Sequence, residues 1–204
     1  VGQRGFDEND LPKDEEKRLL YERGRALLED AGYREIGMDH FALTSDSLYM
    51  SAQNERLHRN FMGYTNFKTQ LMIGLGVSAI GDSWYGFAQN KKTVEEYMTD
   101  VQAGNIPFLR GHMLNAEDLI IRQHILNIMC KFKTDWRSSG DRFEGLDNVI
   151  ARLKDLESDQ LLELNEHGLQ VTERGRPFIR NICMAFDLHL LASKPETRLF
   201  SMTI

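Results

Sequence analysis

Apolar residues in the first part of the chain recur at helical spacing. Between residues 14 and 31 they fall mostly on one face, with Glu and Arg elsewhere, which predicts a helix. Pro12 precedes this segment and Gly32 follows it, as is typical of helix boundaries. The short apolar run of residues 33–43 predicts a strand, and a helix leading into a strand suggests one α/β repeat rather than a free-standing hairpin. A second helix is predicted over residues 45–59.

The middle of the chain has a different pattern. Glycines punctuate residues 60–90, and aromatic residues lie between them. We expect short strands and tight loops here, because glycine permits positive φ angles and close backbone approach. This segment is the part of the chain best suited to contact a ligand, and a helix is predicted after it over residues 92–103.

The last part, from about residue 115 to residue 204, has the pattern of a separate helical subdomain. Its predicted elements are two helices, a two-stranded hairpin and a final helix, over residues 116–132, 148–156, 160–172 and 173–192. The hairpin is expected to turn at Glu166-His167-Gly168, and Thr172 is expected to cap the final helix. This order of elements resembles a winged-helix arrangement, and the predicted fold class is α+β.

Composition narrows the class of protein. The chain has 204 residues, of which 41% are hydrophobic and 27% are charged, so it can bury a core without disulfides or structural metals. No apolar run is long enough for a membrane span, and the polar, acidic first residues do not resemble a signal peptide, so a cytoplasmic location is expected. A formal charge of -6 argues against a general nucleic-acid binder.

Few residues have the spacing of a catalytic or metal-binding motif. Cys130 and Cys183 lie in apolar surroundings, so we expect buried, reduced thiols. The six histidines show no HxxxH or HxH spacing, and no metal ligand is predicted from them. The motifs GxSxG, GxGxxG and GxxxxGK[ST] are absent, so no catalytic residue is assigned.

Two groups of polar side chains permit more than one interpretation. Asp39 and His40 follow an apolar strand, where α/β proteins place ligand-binding groups. Adjacent side chains of a strand point to opposite faces, however, so a structural polar pair is an equal alternative. Arg174, Arg176 and Arg180 could form a solvated face, or could bind an acidic small molecule or another part of the same protein.

Four segments, in their order and spacing, resemble the C-terminal half of the oxygen-independent coproporphyrinogen III oxidases. They are Gly37–Ala42, His58–Thr65, Gly74–Ile80 and Gly175–Asp187, and the last is long and specific. The early stretch Gln3–Pro12 also fits, so that the resemblance covers essentially the whole chain.

The resemblance implies a radical S-adenosylmethionine oxidoreductase of haem biosynthesis. Such enzymes convert two propionates of coproporphyrinogen III to the vinyl groups of protoporphyrinogen IX, with loss of carbon dioxide. An N-terminal partial barrel of the family binds a [4Fe-4S] cluster on a CxxxCxxC motif, and a smaller, mostly helical domain follows it. Since this chain has two cysteines and no such motif, we expect a C-terminal piece that is inactive without the barrel.

The resemblance divides the chain into three parts. Residues 1–45 would be a remnant of the partial barrel, with residues 33–43 as its last strand. Residues 46–112 would be a glycine-rich connecting segment near the pocket of a second S-adenosylmethionine. Residues 113–204 would form the helical C-terminal domain with its winged-helix-like hairpin.

The resemblance also implies local roles and partners. Ile80 matches a contact of the second S-adenosylmethionine, and Met62 lies near the same pocket, at a position where relatives often carry Gln. Arg59 is a candidate for binding a substrate propionate, because guanidinium pairs with carboxylate in a bidentate manner.

The implied partners are coproporphyrinogen III and the missing barrel, with no nucleic acid and no membrane. Strand edges left open without the barrel would favour self-association. The alternative function is a piece of a radical-fold haem chaperone.

Overall fold

A computed structural model of the protein describes Gly5 and residues 10–193. Most of the segment Gln3–Pro12 and the last residues of the predicted C-terminal domain, 194–204, lie outside the described residues. The α-helices in residues 10–193 are α1 (Asp14–Asp30), α2 (Ser47–Gln53), α3 (Val94–Gln102), α4 (Ala116–Lys131), α5 (Leu146–Ser158), α6 (Ile179–Met184) and α7 (Leu188–Ser193). The strands are β1 (Tyr33–Gly37), β2 (His40–Leu43), β3 (His58–Asn60), β4 (Gly63–Thr65), β5 (Leu71–Met72), β6 (Ile80–Ser83), β7 (Gly86–Asn90), β8 (Phe108–Met113), β9 (Lys133–Asp135), β10 (Leu162–Asn165) and β11 (Gly168–Val171).

The strands form four small sheets, and every strand pair within the described residues is antiparallel. β1 pairs with β2, and β3 pairs with β4. The largest sheet has the order β5-β6-β7-β8, and β11 lies between β10 and β9 in a sheet of three. Helices combined with separate antiparallel sheets confirm the predicted α+β class.

Several elements match their predicted bounds closely. The helices α1, α3, α4 and α5 occur where the apolar spacing predicted them, and the hairpin of β10 and β11 turns at Glu166 and His167 as expected. The glycine-punctuated middle segment forms the predicted short strands, β3 to β7. β8 and β9 were not predicted. All six side chains of β8 are exposed, so the strand has no alternating pattern. In β9 exposed and buried side chains alternate over only three residues, which is too short to indicate a strand.

The prediction of a single strand over residues 33–43 is wrong, and the predicted α/β repeat is therefore wrong too. The segment is a hairpin in which β1 and β2 pair antiparallel, with Gly37 opposite His40. Met38 and Asp39 form its two-residue loop, and both have positive φ angles of 43° and 64°. Positive φ at both loop positions is the geometry that matches the twist of a hairpin, although Met is an unusual residue there.

The helix predicted over residues 45–59 is shorter than expected. Asp46 caps α2, because its side chain accepts a hydrogen bond from the Leu48 amide at 2.7 Å. The chain leaves the helix after Asn54, and Glu55 adopts a positive φ of 55°. Residues 58–60 then pair with residues 63–65 as strands rather than continuing the helix.

The final helix predicted over residues 173–192 is broken into pieces. The Thr172 hydroxyl accepts from the Gly175 amide at 3.1 Å, so it closes a turn instead of capping a long helix. A 3-10 turn over Arg176–Phe178, with Pro177 inside it, leads into α6. The chain breaks again before α7, where the Asp187 carboxylate accepts from the Leu190 amide at 2.9 Å.

The main core lies between α4, α5, α6 and the three-stranded sheet. Its fully buried large side chains include Trp136, Phe186, Ile128, Leu153 and Leu162. His124 is buried within the same core: its Nε2 donates to the Asp141 carbonyl at 2.7 Å, and its Nδ1 lies 2.8 Å from the Thr134 hydroxyl. Burial lowers the pKa of His124, so this imidazole is neutral and serves the packing.

The order helix, strand, helix and hairpin over α4 to β11 is what the winged-helix resemblance rests on. β9 adds a third strand to the hairpin, and the Trp136 indole donates to the Glu166 carbonyl at 3.3 Å. The likeness to a winged helix stays a prediction, as does the division into residues 1–45, 46–112 and 113–204.

A second, smaller core connects the first hairpins to α4. Ile36, Ala42, Leu57 and Cys130 are buried together there. The Tyr64 hydroxyl also donates to the Met129 carbonyl of α4 at 3.0 Å, which joins the β3–β4 hairpin to the helix.

Large apolar side chains are exposed at several places on the surface, including α1 and the glycine-rich loop. On α1, Leu19, Leu20 and Leu27 are 51–70% exposed, and beside the glycine-rich loop Ile73 and Leu75 are 71% and 84% exposed. None of the helices within the described residues has the length and apolar character required to cross a bilayer.

Two glycines give a matched stability test. A Cβ at Gly175 would collide with the carbonyl oxygen of Leu161, whereas a Cβ at Gly24 inside α1 would meet no atom within 4 Å. We expect Gly175→Ala to destabilise the fold by roughly 1–3 kcal/mol or more, because the backbone has to move. Gly24→Ala should stabilise it by about 0.5–1 kcal/mol through helix propensity. Urea unfolding of both variants measures the difference, and equal stabilities would contradict the packing at Gly175.

Candidate ligand-binding cleft

A cleft of about 500 Å³ opens between the β3–β4 hairpin, the four-stranded sheet, α4 and the segment that joins α6 to α7. Its wall is largely apolar and includes Phe61, Phe87, Ile121, Ile125 and Leu126. Charged side chains from β3, β6 and α4 also line it. An apolar cleft with a few polar groups directed into it is the usual form of a small-molecule site.

Arg122 of α4 joins the helix to the sheet on one side of the cleft. Its guanidinium pairs with Asp82 of β6 at 2.8 Å and donates to the carbonyls of Ser83 and Trp84 at 3.0 and 3.1 Å. The rings of Trp84 and Phe87 each lie 4.9 Å from it. All of these contacts satisfy the cation within the protein, so Arg122 shapes the cleft and its charge is already balanced.

Arg59 of β3 lines the same cleft, but its guanidinium has fewer polar contacts than that of Arg122. Its guanidinium lies over the Tyr64 ring, with 4.7 Å between the guanidinium carbon and the ring centroid. Its Nη1 is buried and makes no hydrogen bond, and no carboxylate forms an ion pair with Arg59 within residues 10–193. A guanidinium nitrogen that is buried without a hydrogen-bond acceptor carries a desolvation cost, which an anionic ligand in the cleft would offset.

The glycine-rich loop between β5 and β6 is held by side chains from other elements. The Asn90 amide donates to the carbonyls of Gly74 and Gly76 at 2.9 Å each, and the Gly76 amide donates to the Tyr97 hydroxyl at 3.1 Å. A Cβ at Gly74 would lie 2.8 Å from the carbonyl carbon of Ile80, so glycine is required for this close approach. The loop is therefore a fixed element of the fold.

The predicted cofactor contacts lie away from the cleft wall. Ile80 begins β6, directly after the glycine-rich loop, and is partly buried. Met62 lies in the turn between β3 and β4 and is 84% exposed. Neither residue lines the cleft that Arg59 lines, and their roles stay predictions.

Asp39 and His40 occupy the loop and first strand position of the β1–β2 hairpin. Asp39 is exposed, while the Nδ1 of His40 donates to the Met38 carbonyl at 2.8 Å. The His40 ring packs edge-on against Tyr64, with centroids 5.1 Å apart. These contacts favour the structural alternative for this pair.

Arg174, Arg176 and Arg180 do not line the cleft. Arg176 pairs with Glu173 at 2.8 Å and lies over the Phe132 ring, and Arg174 contacts the Gln160 side chain at 3.4 Å. Of the open alternatives, contact with another part of the same protein describes Arg176 best.

The structure brings together three residues that sequence spacing did not connect. His112 of β8, Asp118 of α4 and His189 of α7 meet at the edge of the cleft. The hydrogen bond from His189 Nε2 to the Asp118 carboxylate, 2.8 Å long, raises the pKa of His189. His112 and Asp118 are near each other in the chain, but His189 lies 71 positions from Asp118, so no short motif could have indicated the full set.

Cys130 and Cys183 are both free and buried, as predicted. Burial raises the pKa of each thiol to about 12. A metal or cluster binds the thiolate and not the thiol, so neither side chain is in the state or the place of a cluster ligand.

Fold and site together define an α+β unit with an arginine-containing, largely apolar cleft. Residues 114–178 match the family model described as the HemN C-terminal domain. The whole chain is 36% identical to the oxygen-independent coproporphyrinogen III oxidase of Salmonella typhimurium and covers 46% of that protein. It is 37% identical over 99% of its length to the enzyme of the same name from Thermostichus vulcanus, of which it covers 63%. The chain thus spans about half the length of the curated relatives it matches.

A solved structure of coproporphyrinogen III oxidase (HemN) from Escherichia coli, described as a radical SAM enzyme, has the same fold. The match has a TM-score of 0.82 and 37% identity, and it covers 92% of this chain and 44% of the other. The chain is therefore similar over its full length to a portion of the oxygen-independent coproporphyrinogen III oxidases, and residues 114–178 match the HemN C-terminal domain. The resemblance predicted from the four segments is confirmed.

The burial of both thiols predicts low chemical reactivity in the folded chain. With Ellman's reagent at pH 8, we expect the two thiols to react at least about tenfold more slowly than after unfolding in guanidinium chloride, because the reactive thiolate is scarce and covered. Unfolded protein should release two equivalents. Fast reaction of either thiol in the native chain would contradict the burial.

Proposed function

We propose that the chain is the C-terminal part of an oxygen-independent coproporphyrinogen III oxidase. The whole protein would be a cytoplasmic oxidoreductase of haem biosynthesis that oxidatively decarboxylates two propionates of coproporphyrinogen III to vinyl groups. The observation that carries this proposal is similarity to enzymes of that name over the full length of the chain. The same similarity favours an oxidase over the alternative of a haem chaperone.

The cluster chemistry of such an enzyme has to come from outside this chain. A [4Fe-4S] cluster on three cysteines needs three thiolates, whereas the two thiols here are buried and protonated. The residues of this chain do not fit the cluster. The chain would contribute binding surface and shape to a barrel that supplies the radical, and it would be inactive alone.

The exposed apolar residues support a partner in that position. Leu19, Leu20 and Leu27 form an apolar face on α1, and Ile73 and Leu75 add a second apolar patch. Exposed apolar side chains grouped on one helix face are a candidate interaction surface. The N-terminal barrel of the same protein would cover these faces, and an isolated chain would use them to self-associate.

The cleft would hold a carboxylate-bearing edge of the substrate. Coproporphyrinogen III has four propionates around an apolar macrocycle, and the cleft combines aromatic and aliphatic walls with the unpaired guanidinium of Arg59. A propionate beside Arg59 would supply the missing negative charge. Charge-assisted hydrogen bonds of this kind are among the stronger polar contacts in proteins.

The second S-adenosylmethionine would lie near the start of β6. Ile80 offers an apolar side chain, and the loop before it is held rigidly by Asn90 and Tyr97. Met62, on the neighbouring turn, would be an adaptable contact at the edge of this pocket. This cofactor would act here through binding alone.

Substitution of Arg59 tests the substrate site in the full-length enzyme. We expect Arg59→Ala to raise the KM for coproporphyrinogen III by about 10–100-fold, because one charged hydrogen-bonding group is lost. Reductive cleavage of S-adenosylmethionine should be unchanged, since Arg59 has no part in it. Arg59→Lys keeps the charge without the bidentate geometry and should have an intermediate KM.

Arg174→Ala is the matched control, because Arg174 is exposed and contacts only the Gln160 side chain. It should leave the KM unchanged. If Arg59→Ala also left the KM unchanged while the enzyme stayed folded by circular dichroism, Arg59 would not bind the substrate.

Substitution of Ile80 tests the second cofactor site. We expect Ile80→Ala in the full-length enzyme to weaken binding of the second S-adenosylmethionine about tenfold, since contact area in an apolar pocket is lost. Equilibrium dialysis with labelled S-adenosylmethionine measures the number and affinity of bound cofactors. Ile106→Ala is the control, because Ile106 lies between α3 and β8 and is 70% exposed. Equal binding by both variants would contradict a role for Ile80.

A further inference from the structure

Two histidines and one aspartate converge on a single point at the edge of the cleft. Their ligand atoms all lie within 4.8 Å of one another. The Nε2 of His189 is 2.8 Å from one carboxylate oxygen of Asp118, and the Nε2 of His112 is 3.9 Å from the other. Both imidazoles thus direct the same nitrogen toward one carboxylate.

The carboxylate at the centre of this group is held in place. The side chain of Asp118 is only 9% exposed, and its Oδ2 accepts a hydrogen bond from the Asn115 amide at 3.0 Å as part of the capping box of α4. A second group that orients the first ligand is typical of metal sites in proteins. Asp118 therefore gives a fixed anchor for the two more mobile rings.

The two imidazoles are accessible and can adjust. The His112 and His189 side chains are 56% and 70% exposed, and their rings lie edge-on with centroids 5.6 Å apart. Four ligands around Zn²⁺ at its normal bond lengths would be roughly 3.4 Å apart, so shifts of about 1 Å in exposed side chains would close the site. Such shifts need no change in the backbone.

We propose that His112, Asp118 and His189 bind a divalent transition-metal ion of the Zn²⁺ type. Imidazole nitrogen with carboxylate oxygen is a ligand set that suits Zn²⁺, Co²⁺ and Ni²⁺, and it is unsuited to Mg²⁺, which prefers oxygen ligands throughout. Each imidazole would bind through Nε2, with its proton on Nδ1, so the ion replaces the proton that His189 now shares with Asp118.

A purely structural role explains only part of this arrangement. The bond from His189 to Asp118 attaches α7 to the start of α4 and needs no second histidine. His112 comes from β8, is too far from Asp118 for a hydrogen bond, and still directs its Nε2 at the same carboxylate. A shared ion accounts for both rings at once.

Three protein ligands leave at least one coordination position for water or another ligand. The three residues also line the cleft. A bound ion would place a positive charge beside the cleft, in addition to Arg59, and could coordinate an anionic group of whatever ligand occupies it. The metal site itself does not depend on the proposed oxidase function.

Metal titration of the 204-residue chain tests the proposal directly. Isothermal titration with ZnCl₂ should show one ion per chain with about micromolar affinity or better, and Co²⁺ should develop visible d–d absorption of a nitrogen–oxygen site. We expect His112→Ala and His189→Ala each to weaken Zn²⁺ binding at least about tenfold. MgCl₂ should give no binding in the same range.

His167→Ala is the matched control, because His167 is also exposed and lies beside an acidic residue, Glu166, in the β10–β11 turn. Its Zn²⁺ affinity should equal that of the unchanged chain. Absence of Zn²⁺ binding, or equal affinity in the His112, His189 and His167 variants, would overturn the proposal. These results do not depend on catalysis, so they separate this site from the proposed oxidase function.

Discussion

The ion pair between Arg122 and Asp82 is the contact on which the cleft depends. It joins α4, which belongs to the main core, to the four-stranded sheet, and both side chains are largely buried. Removal of one partner from a buried pair leaves an uncompensated charge, which is far more costly than the pair itself. Because Arg122 also binds the carbonyls of Ser83 and Trp84, this one side chain sets how the sheet lies against the helix.

Arg122 and Arg59 line the same cleft but differ in their contacts. Arg122 has a structural role, whereas Arg59 is the candidate for ligand binding. Arg122 has its carboxylate, its carbonyls and two aromatic rings, so its bonding is complete within the protein. Within residues 10–193, Arg59 lies over the Tyr64 ring and its buried Nη1 makes no hydrogen bond. A buried donor without an acceptor requires an explanation, and the one proposed for Arg59 is an anionic ligand in the cleft.

Local pattern was sufficient where an element is amphipathic and clearly bounded. The helix α1 follows Pro12 and ends before Gly32, and α4 carries regular apolar spacing, so both were predicted closely. The pattern failed where backbone conformation decided the result. A positive φ at Met38 and Asp39 turns residues 33–43 into a hairpin, and the Asp187 side chain interrupts what periodicity predicted as one helix. Neither effect changes the hydrophobic pattern on which the predictions relied.

Residue order alone established the α+β class, the two buried thiols and the resemblance to the oxygen-independent coproporphyrinogen III oxidases, because periodicity, composition and short segments are local properties. Tertiary structure alone brought His112, Asp118 and His189 to one point and left Arg59 in the cleft without a carboxylate partner from the part of the chain that the structure describes. These contacts join residues that are up to 71 positions apart in the chain. Such a distance is closed only when β8, α4 and α7 pack together, and no local pattern records that packing.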